Sequence, residues 1–227
     1  MAEHLNGDDQ TESAARSFSE ASRIRRVPDR ARYDRATIDA ILDASPVAHV
    51  GIVDDDRPIV IPMIFGRDGD RLYLHGSVAS RLQRVAAAGI HLCVTATLID
   101  GLVLARSAFH HSVNYRSAVV LGTAKRVPDE RKPHALEVIS EHLLPGRWSQ
   151  VRLPNDRELR QTSVLEMSLK ESSAKIRTGG PADDPEDMAL PIWAGVIPCT
   201  LAWGAPSADT DSVPGAPAPP TAPLSRV

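Results

Sequence analysis

The segment at residues 71–82, RLYLHGSVASRL, combines residue types that can bind an anion. It begins with apolar and aromatic residues typical of a strand, and beyond Ser77 its apolar residues recur at the spacing of one helix face. Ser77 is a suitable N-cap, so we expect a strand that leads directly into a helix. Ser80, Arg81 and Arg84 would then lie together on the other face of that helix. Because a helix begins with free backbone N–H groups, a hydroxyl and a guanidinium beside them would complete a phosphate site, and we predict that a phosphorylated cofactor binds here.

Histidines are the other candidates for chemistry. His75 stands at the end of the predicted strand, beside the anion site, where it could act on a substrate or serve as a structural hydrogen-bonding residue. His110 and His111 are adjacent, and neighbouring residues of an extended chain point to opposite sides, so the two should not share a metal ion. We interpret the three aspartates at residues 54–56 as a charged hairpin tip and not as a cation site. The sequence therefore predicts no metal site.

The common catalytic motifs are absent from the sequence. There is no GxSxG arrangement, so the serine and histidine residues do not indicate a hydrolase. GxGxxG and GxxxxGK[ST] are also missing, which excludes the usual dinucleotide and P-loop motifs. Two features of the sequence each have two possible interpretations. The run NYRS at residues 114–117 could contact a ligand or form a solvated strand edge, and Trp193 could stack on a planar ligand or fill the core.

The composition limits the partners and the compartment. The chain has 227 residues, a net charge of -3 and a pI of about 6.2, without the clustered basic excess typical of nucleic-acid binding. Cys93 and Cys199 are far apart, so we expect no disulfide, a reducing compartment and two small buried thiols. The sequence shows neither a signal-peptide core nor an apolar run long enough to span a membrane. We therefore expect a soluble, cytoplasmic protein that binds no nucleic acid and no membrane.

Composition also divides the chain into three parts. Residues 1–25 are polar and acidic without periodicity, which predicts a disordered N-terminal tail. Residues 205–227 are rich in proline and alanine and cannot bury much apolar surface, which predicts a second disordered tail. The folded domain should therefore span residues 26–204.

In the first half of this domain, strand patterns come in a run. Asp34 can cap a short amphipathic helix that ends near Ser45. The segments PVAHVGIV, PIVIPMIF and RLYLH, separated by turn clusters, are typical of an antiparallel meander. Pro58 and Pro62 place the second of these strands at a sheet edge, at a bulge or against a ligand.

The second half repeats this pattern. IHLCVTATL and LVLARSAF predict two strands separated by a turn at residues 100–101, and YRSAVVLGTAKRV predicts a third. A helix is expected at residues 128–144, and Asn155 can cap a short helix before the strands SVLEMSLK and SSAKIRT. The sum is at least six antiparallel strands. We predict a mainly β fold, an antiparallel barrel or sandwich with flanking helices.

Three segments together resemble a known family. RLYLHGSVASRL, LARSAFHHSVNYRSAVVLGTAKRV and SAKIRTGGPADDPEDMALPIWAGVIP are similar to the pyridoxamine 5'-phosphate oxidase-like flavoproteins, and within them to the branch of the 5-nitroimidazole reductases. The similarity covers residues 26–198. It implies a split β-barrel that binds FMN, and a homodimer with the cofactor at the subunit interface.

The resemblance also implies roles for particular residues. Ser80 and Arg81 match the pair that holds the FMN phosphate, although Leu82 stands where the family often has a second cation. His75 matches the histidine near the flavin and is the expected catalytic residue, which would give a proton or a hydrogen bond to the substrate. The other cofactor contacts that the resemblance implies are Ile61 and Pro62 along the isoalloxazine ring, Leu74 and His75 at the strand end beside it, Arg116 and Ser117, and Trp193 from the other subunit.

We therefore expect an FMN-dependent oxidoreductase that acts on a small-molecule substrate, nitro-group reduction being one example. The Arg-rich substrate motif of true pyridoxamine phosphate oxidases is not apparent, so that activity is not predicted. Two alternatives stay open. One is a flavin-binding module without turnover. The other is the same barrel with haem or a deazaflavin, in which His75, His110 or His111 could be an axial ligand of the haem.

Overall fold

The computed structural model of the protein describes residues 19–89, 91–213 and 215–219. Residues 1–18 of the predicted N-terminal tail, Ile90 at the start of a predicted strand, and the end of the predicted C-terminal tail lie outside these ranges. The strands are β1 (Ala31–Arg32), β2 (Ala48–Asp54), β3 (Arg57–Met63), β4 (Phe65–Asp68), β5 (Arg71–Ser77), β6 (His91–Leu104), β7 (Ser112–Thr123), β8 (Lys125–Arg126), β9 (Thr162–Ser168), β10 (Ser172–Arg177) and β11 (Gly195–Pro198). The helices are α1 (Arg35–Ala44), α2 (Arg81–Ala87), α3 (Lys132–Leu143) and α4 (Asp156–Gln161).

In these described residues the strands form two antiparallel sheets. The larger sheet has the order β1-β10-β7-β6-β2-β3, with β11 paired to β6, and the smaller one has the order β4-β5-β9-β8. The segment PIVIPMIF, predicted as one strand, supplies a strand to each sheet because the pairing breaks at Ile64. The two sheets do not close into one barrel. The predicted fold class is confirmed: a mainly β, antiparallel split barrel with flanking helices.

The main core lies between the two sheets and is closed by α1 and α2. Its largest fully buried side chains include Ile38, Leu42, Phe65, Leu72 and Leu74. Full burial of one such side chain is worth about 1.5–3 kcal/mol, so this cluster fixes how the sheets face each other. A second, smaller cluster lies between the other face of the smaller sheet and α3.

Helix α1 is present as predicted. The Asp34 carboxylate accepts a hydrogen bond from the N–H of Thr37 at 2.9 Å, and Ser45 follows the last helical residue. The apolar stripe Ile38, Ile41 and Leu42 is buried in the core. The sequence pattern alone therefore located this helix and its buried face.

The β2–β3 hairpin also confirms its prediction. Asp55 and Asp56 have φ of 51° and 59° at its tip, the left-handed conformation that a tight two-residue turn requires. Strand β3 lies at the end of the larger sheet, where Pro58 and Pro62 pair with Val53 and His49 of β2. One side of β3 has no partner strand in the described residues, so the N–H groups that the prolines lack are not needed for a ladder on that side.

Helix α2 begins later than predicted. Ser77 is the last residue of β5, paired with Thr162 of β9, and the N–H of Val78 bonds to the carbonyl of Gln161. The ladder with β9 therefore holds the chain extended past Ser77. Ser80 is the N-cap, and Val78, expected on the buried helix face, is 45% exposed.

The turn predicted at residues 100–101 is wrong. Strand β6 runs through this point with a register shift against β7 between Ile99 and Gly101. A Cβ added at Gly101 would lie 2.8 Å from the carbonyl oxygen of Ile197, so the glycine permits β11 to pack closely and does not end the strand. Cys199, just beyond β11, is exposed and not buried as expected, whereas Cys93 is half-buried; both are free thiols.

The ends of the described chain differ in their contacts. Residues 19–25, inside the predicted N-terminal tail, contact the domain: the Ser19 hydroxyl donates to Glu171 at 2.6 Å and the N–H of Ile24 donates to the Tyr33 hydroxyl at 2.9 Å. Residues 205–213 and 215–219 contain no helix or strand and are almost all exposed. None of the helices in the described residues is long and apolar enough to cross a membrane.

Candidate functional site

The junction of β5 and α2 brings Ser80 and Arg81 to the β2–β3 hairpin. The Ser80 hydroxyl accepts a hydrogen bond from the N–H of Gln83 at 3.4 Å and lies over Gly76, where an added Cβ would be 3.5 Å from it. The Nε of Arg81 lies 3.1 Å from Oδ2 of Asp54. The structure thus places a hydroxyl, a guanidinium and a carboxylate at one point between two elements.

The charge at this junction is balanced within the protein. The Arg81 side chain is half exposed, and an ion pair of that kind contributes about 0–1 kcal/mol, so an incoming phosphate can replace the carboxylate at small cost. Leu82, which the family resemblance marks as a departure, is buried in the core and supplies no polar group. Asp54 was not expected from the sequence as a partner of Arg81, because only the hairpin brings the two together.

Two of the predicted cofactor contacts turn their side chains into the core. Leu74 is fully buried, and Ile61 packs against the same core cluster. Pro62 lies on the opposite face of β3 and is exposed, beside His49. Leu74 and Ile61 can therefore meet a cofactor only through their backbone, and β3, as an edge strand, has backbone groups available for this.

Arg116 and Ser117 point to opposite faces of β7. Ser117 pairs with Thr97 of β6, and their hydroxyls are 3.0 Å apart. Arg116 pairs with Leu98 and makes a bidentate ion pair with Asp100, with Nη2 2.8 Å from Oδ1. This hydrogen bond raises the pKa of Arg116 above its usual range, so the guanidinium is charged at all relevant pH values. The two residues cannot contact one side of the same ligand.

A cavity of about 490 Å³ adjoins Arg116. It lies where β2, β6 and β7 meet the segment after β11, and it mixes apolar walls with the polar groups of His49, Thr97, Asp100 and Arg116. Thr200 and Leu201 close one side, and exposed Cys199 is at its rim. A space of this size with few polar groups suits a small organic molecule.

His75 faces a different cavity. It is on the face of β5 that α3 covers, opposite Val164 of β9, and it borders a space of about 350 Å³ that is open to solvent. Burial lowers the pKa of His75 below its ordinary value of 6.5, and its ring has no hydrogen-bond partner among the described residues. The apolar walls are Ile64, Leu136, Ile139, Leu143, Trp148 and Pro154.

This cavity was not anticipated from the sequence. The apolar spacing of α3 predicted a buried face, but the wall also needs Trp148 and Pro154 from the segment that follows. At the cavity wall, Glu158 is held by Arg152 at 2.7 Å and by the N–H of Asn155 at 2.8 Å. These hydrogen bonds lower the pKa of Glu158 to about 2, so its carboxylate is ionised and already paired.

The sequence predicts His110 and His111 on an extended chain, but the structure places a helical turn there. Ser107 caps a single 3-10 turn at Ala108–His110. Nε2 of His110 lies 3.0 Å from the Asp184 carboxylate, and Nε2 of His111 lies 3.2 Å from the carbonyl oxygen of Ala105. Within the described ranges no group of three or more His, Cys, Asp or Glu side chains is arranged to hold a metal ion.

Trp193 does not fill the core, which was one of its two interpretations. It is 63% exposed, and its ring lies over Gly195, where an added Cβ would be 2.9 Å away. Because Gly195 has no side chain, the Trp193 ring can lie against the backbone at the start of β11. Most of the ring is exposed and could stack on a ligand.

Comparisons with known proteins point to one protein family. A family model described as pyridoxamine 5'-phosphate oxidase matches residues 34–176. The flavocytochrome Anf3 from Azotobacter vinelandii is 41% identical, with a TM-score of 0.84 over 89% of this chain and 94% of that chain. An FAD- and haem-binding protein from Mycobacterium smegmatis is 37% identical, with a TM-score of 0.81 over 86% of this chain and 98% of that chain.

A third solved structure is more distant. A putative 5-nitroimidazole antibiotic resistance protein from Bacteroides thetaiotaomicron is 26% identical, with a TM-score of 0.54 over 64% of this chain and 86% of that chain. No curated protein sequence matches the chain.

Proposed function

The chain belongs to the pyridoxamine 5'-phosphate oxidase family, and from this premise we propose that it is a flavin-binding redox protein that also binds haem. Two similar structures support the pairing of cofactors, since one is named a flavocytochrome and the other an FAD- and haem-binding protein. When bound, the flavin supplies hydride or electron transfer and the haem supplies one-electron chemistry.

The observation that carries the haem assignment is the cavity at His75. A histidine binds haem iron as a neutral imidazole, and burial favours the neutral form of His75 by lowering its pKa. The ring nitrogens are not engaged by other described residues, and most of the wall is apolar, as the macrocycle requires. His110 and His111 fit less well, because each already bonds to an oxygen.

The flavin is assigned away from the His75 cavity, with its phosphate at the junction of β5 and α2. Ser80 and Arg81 would hold its phosphate, with Arg81 exchanging Asp54 for the phosphate oxygens. The backbone of β3 beside Ile61 and Pro62 offers hydrogen-bonding groups to the ring edge, and Ser117 adds a hydroxyl on the outer face of the larger sheet. FMN remains our prediction for this site. FAD is the alternative that the Mycobacterium smegmatis structure favours by its name.

This assignment changes the role proposed for His75. A histidine that coordinates iron cannot also give a proton to a substrate, so His75 would be a ligand in the haem-bound protein and a catalytic residue only without haem. The chain's own contribution is to favour the neutral imidazole, to line its cavity with mostly apolar side chains, and to hold Arg81 at the hairpin.

A spectrum tests the proposal. The purified protein, supplied with hemin and FMN or FAD, should show flavin bands and a Soret band with bound stoichiometry near one each per chain. His75→Ala should lose or shift the Soret band, and added imidazole should restore it. His134→Ala, an exposed histidine on α3 paired with Asp68, is the matched control. Retention of the wild-type Soret band and hemin affinity in His75→Ala would remove the haem site from this cavity.

The oxidoreductase without haem is the second candidate. The cavity beside Arg116 has the size for a small organic substrate and lies on the sheet that carries Ser117, and the nitroimidazole resistance protein is a similar structure. Reduction of a nitroimidazole by NAD(P)H with the FMN-loaded, haem-free protein would support this candidate. No turnover above that of free FMN would rule it out.

We also propose that the protein is a homodimer with the flavin at the subunit interface. The outer face of the larger sheet exposes Val53, Val60 and Ile99, with Val60 64% exposed. Exposed aliphatic side chains on one sheet face are typical of a surface that a second subunit covers. Trp193, accessible near the end of β6, is placed to reach a partner subunit across this face.

A further inference from the structure

A small cavity lies on the side of α2 that faces β8 and β9. It has a volume of about 210 Å³ and is lined by Gln83 and Arg84 of the helix, Arg126 of β8 and Ser163 of β9. Arg81 leaves the same helix toward the β2–β3 hairpin. The cavity is thus distinct from the point where the flavin phosphate is proposed, and it does not rest on that proposal.

The cavity contains a buried polar group with an unmet bond. Gln83 is 7% exposed, and its Oε1 accepts a hydrogen bond from the Ser163 hydroxyl at 2.5 Å. Its Nε2 is inaccessible and has no hydrogen-bond partner. A buried donor without an acceptor costs about 1–3 kcal/mol, and such groups in native proteins usually have a partner. Gln83 lines the cavity, so rotation of its amide toward an acceptor oxygen there would satisfy it.

Two guanidinium groups border the same space. Arg84 makes no ion pair with any described residue, and Arg126 has only an exposed contact with Asp129, at 3.6 Å. Two cations that border the same space favour an anion placed between them. A guanidinium presents paired N–H groups that match the oxygens of a phosphate or a carboxylate.

We propose that Gln83, Arg84 and Arg126 form a binding site for a phosphate group. The volume accommodates a phosphate and little more than its first substituent, so the phosphate is either free or the exposed end of a larger ester. In this site the Gln83 amide donates to one oxygen, and the two guanidinium groups neutralise the charge.

Calorimetric titrations at constant ionic strength, with chloride as the balancing anion, test the site on the full chain. Inorganic phosphate and ADP are the two probes. Wild-type protein should bind at least one of them saturably, and tighter binding of ADP would assign a nucleotide ester, whereas equal or tighter binding of phosphate would assign the free ion. Arg84→Gln and Arg126→Gln should each weaken binding about fivefold, and the double variant more than tenfold.

Controls separate this site from nonspecific attraction and from the flavin phosphate site. Arg157→Gln removes an exposed arginine from α4 and should change the affinity less than twofold. Saturation with FMN, which would occupy the site at Arg81, should leave the affinity unchanged. Gln83→Met, if it folds, should weaken binding without altering charge. Absence of saturable binding, an unchanged double variant, or loss of binding on saturation with FMN would overturn the proposal.

Discussion

The Nε of Arg81 lies 3.1 Å from Oδ2 of Asp54, so the cation assigned to the flavin phosphate already has an anionic partner in the protein. The pair joins the start of α2 to the end of β2. Flavin binding at this point therefore exchanges one ion pair for another, and Asp54 competes with the phosphate. The affinity of the site depends on both residues.

Removal of this competition should strengthen flavin binding. Asp54→Asn keeps the size of the side chain but withdraws its charge, so we expect FMN or FAD to bind more tightly, by up to about fivefold. Arg81→Ala should weaken the same binding more than tenfold. Fluorescence titration of the apoprotein measures both. Weaker binding in Asp54→Asn would mean that the carboxylate positions Arg81 and does not compete.

The stability of the protein should fall in mild acid because of His75. Burial lowers the pKa of His75 below 6.5 in the folded state, so in the pH window between that lowered value and 6.5 the unfolded chain binds a proton that the folded chain does not. The free energy of unfolding therefore decreases as the pH falls through this window, and it is unaffected by His75 above it.

His75→Gln should flatten this part of the pH profile. Urea unfolding of the haem-free protein between pH 7.5 and 5 measures the profile, and the difference between wild type and variant isolates His75 from the other histidines. His134→Gln, on the exposed surface of α3, is the control and should keep the wild-type slope. An identical slope in His75→Gln would show that the imidazole is not protected from protonation.

Gly66 should be required for the close packing of α3 against β4. A Cβ at this position would lie 2.8 Å from backbone atoms of Val138 and Ile139, so the helix would have to move away from β4. We expect Gly66→Ala to lower the free energy of unfolding by about 1–3 kcal/mol. Because α3 forms a wall of the His75 cavity, hemin affinity should fall as well.

Gly51→Ala is the matched control for Gly66→Ala. Its added Cβ would meet Cys93 at ordinary van der Waals distances of 3.5–3.6 Å. The free energy of unfolding, measured with urea, should change by less than about 1 kcal/mol for Gly51→Ala. Alanine loses less conformational entropy than glycine when it is fixed in a strand. A loss in Gly66→Ala as small as that expected for Gly51→Ala would show that α3 can shift without cost.

The outer face of the larger sheet should carry the dimer contact. Val60→Lys places a charge at the most exposed of these aliphatic side chains, and we expect it to convert a dimer into a monomer at micromolar concentration and to weaken flavin retention. Val151→Lys, at an exposed valine outside that face, should leave the dimer intact. Light scattering after size-exclusion chromatography gives the mass. A wild-type monomer, or a dimer that survives Val60→Lys, would contradict the proposed interface.

Local sequence signals were reliable where the structure is decided by neighbouring residues. Asp34 with the stripe at Ile38, Ile41 and Leu42 located α1, and Asn155 capped α4 as expected. The aspartates at residues 54–56 gave the hairpin tip. The same kind of reasoning misplaced the start of α2, because Ser77 is as good a cap as Ser80 and only pairing with β9 chooses between them.

What the sequence by itself determined was the class of fold, the order of its elements and the family, since strand runs, caps and family motifs are all local patterns. The tertiary structure alone decided what each site residue meets. It brought Arg116 to Asp100, covered the His75 face of β5 with α3, and brought Asp54 to Arg81. The physical reason is that these relationships depend on strand register and on packing between residues distant in the chain, and no local pattern encodes either one.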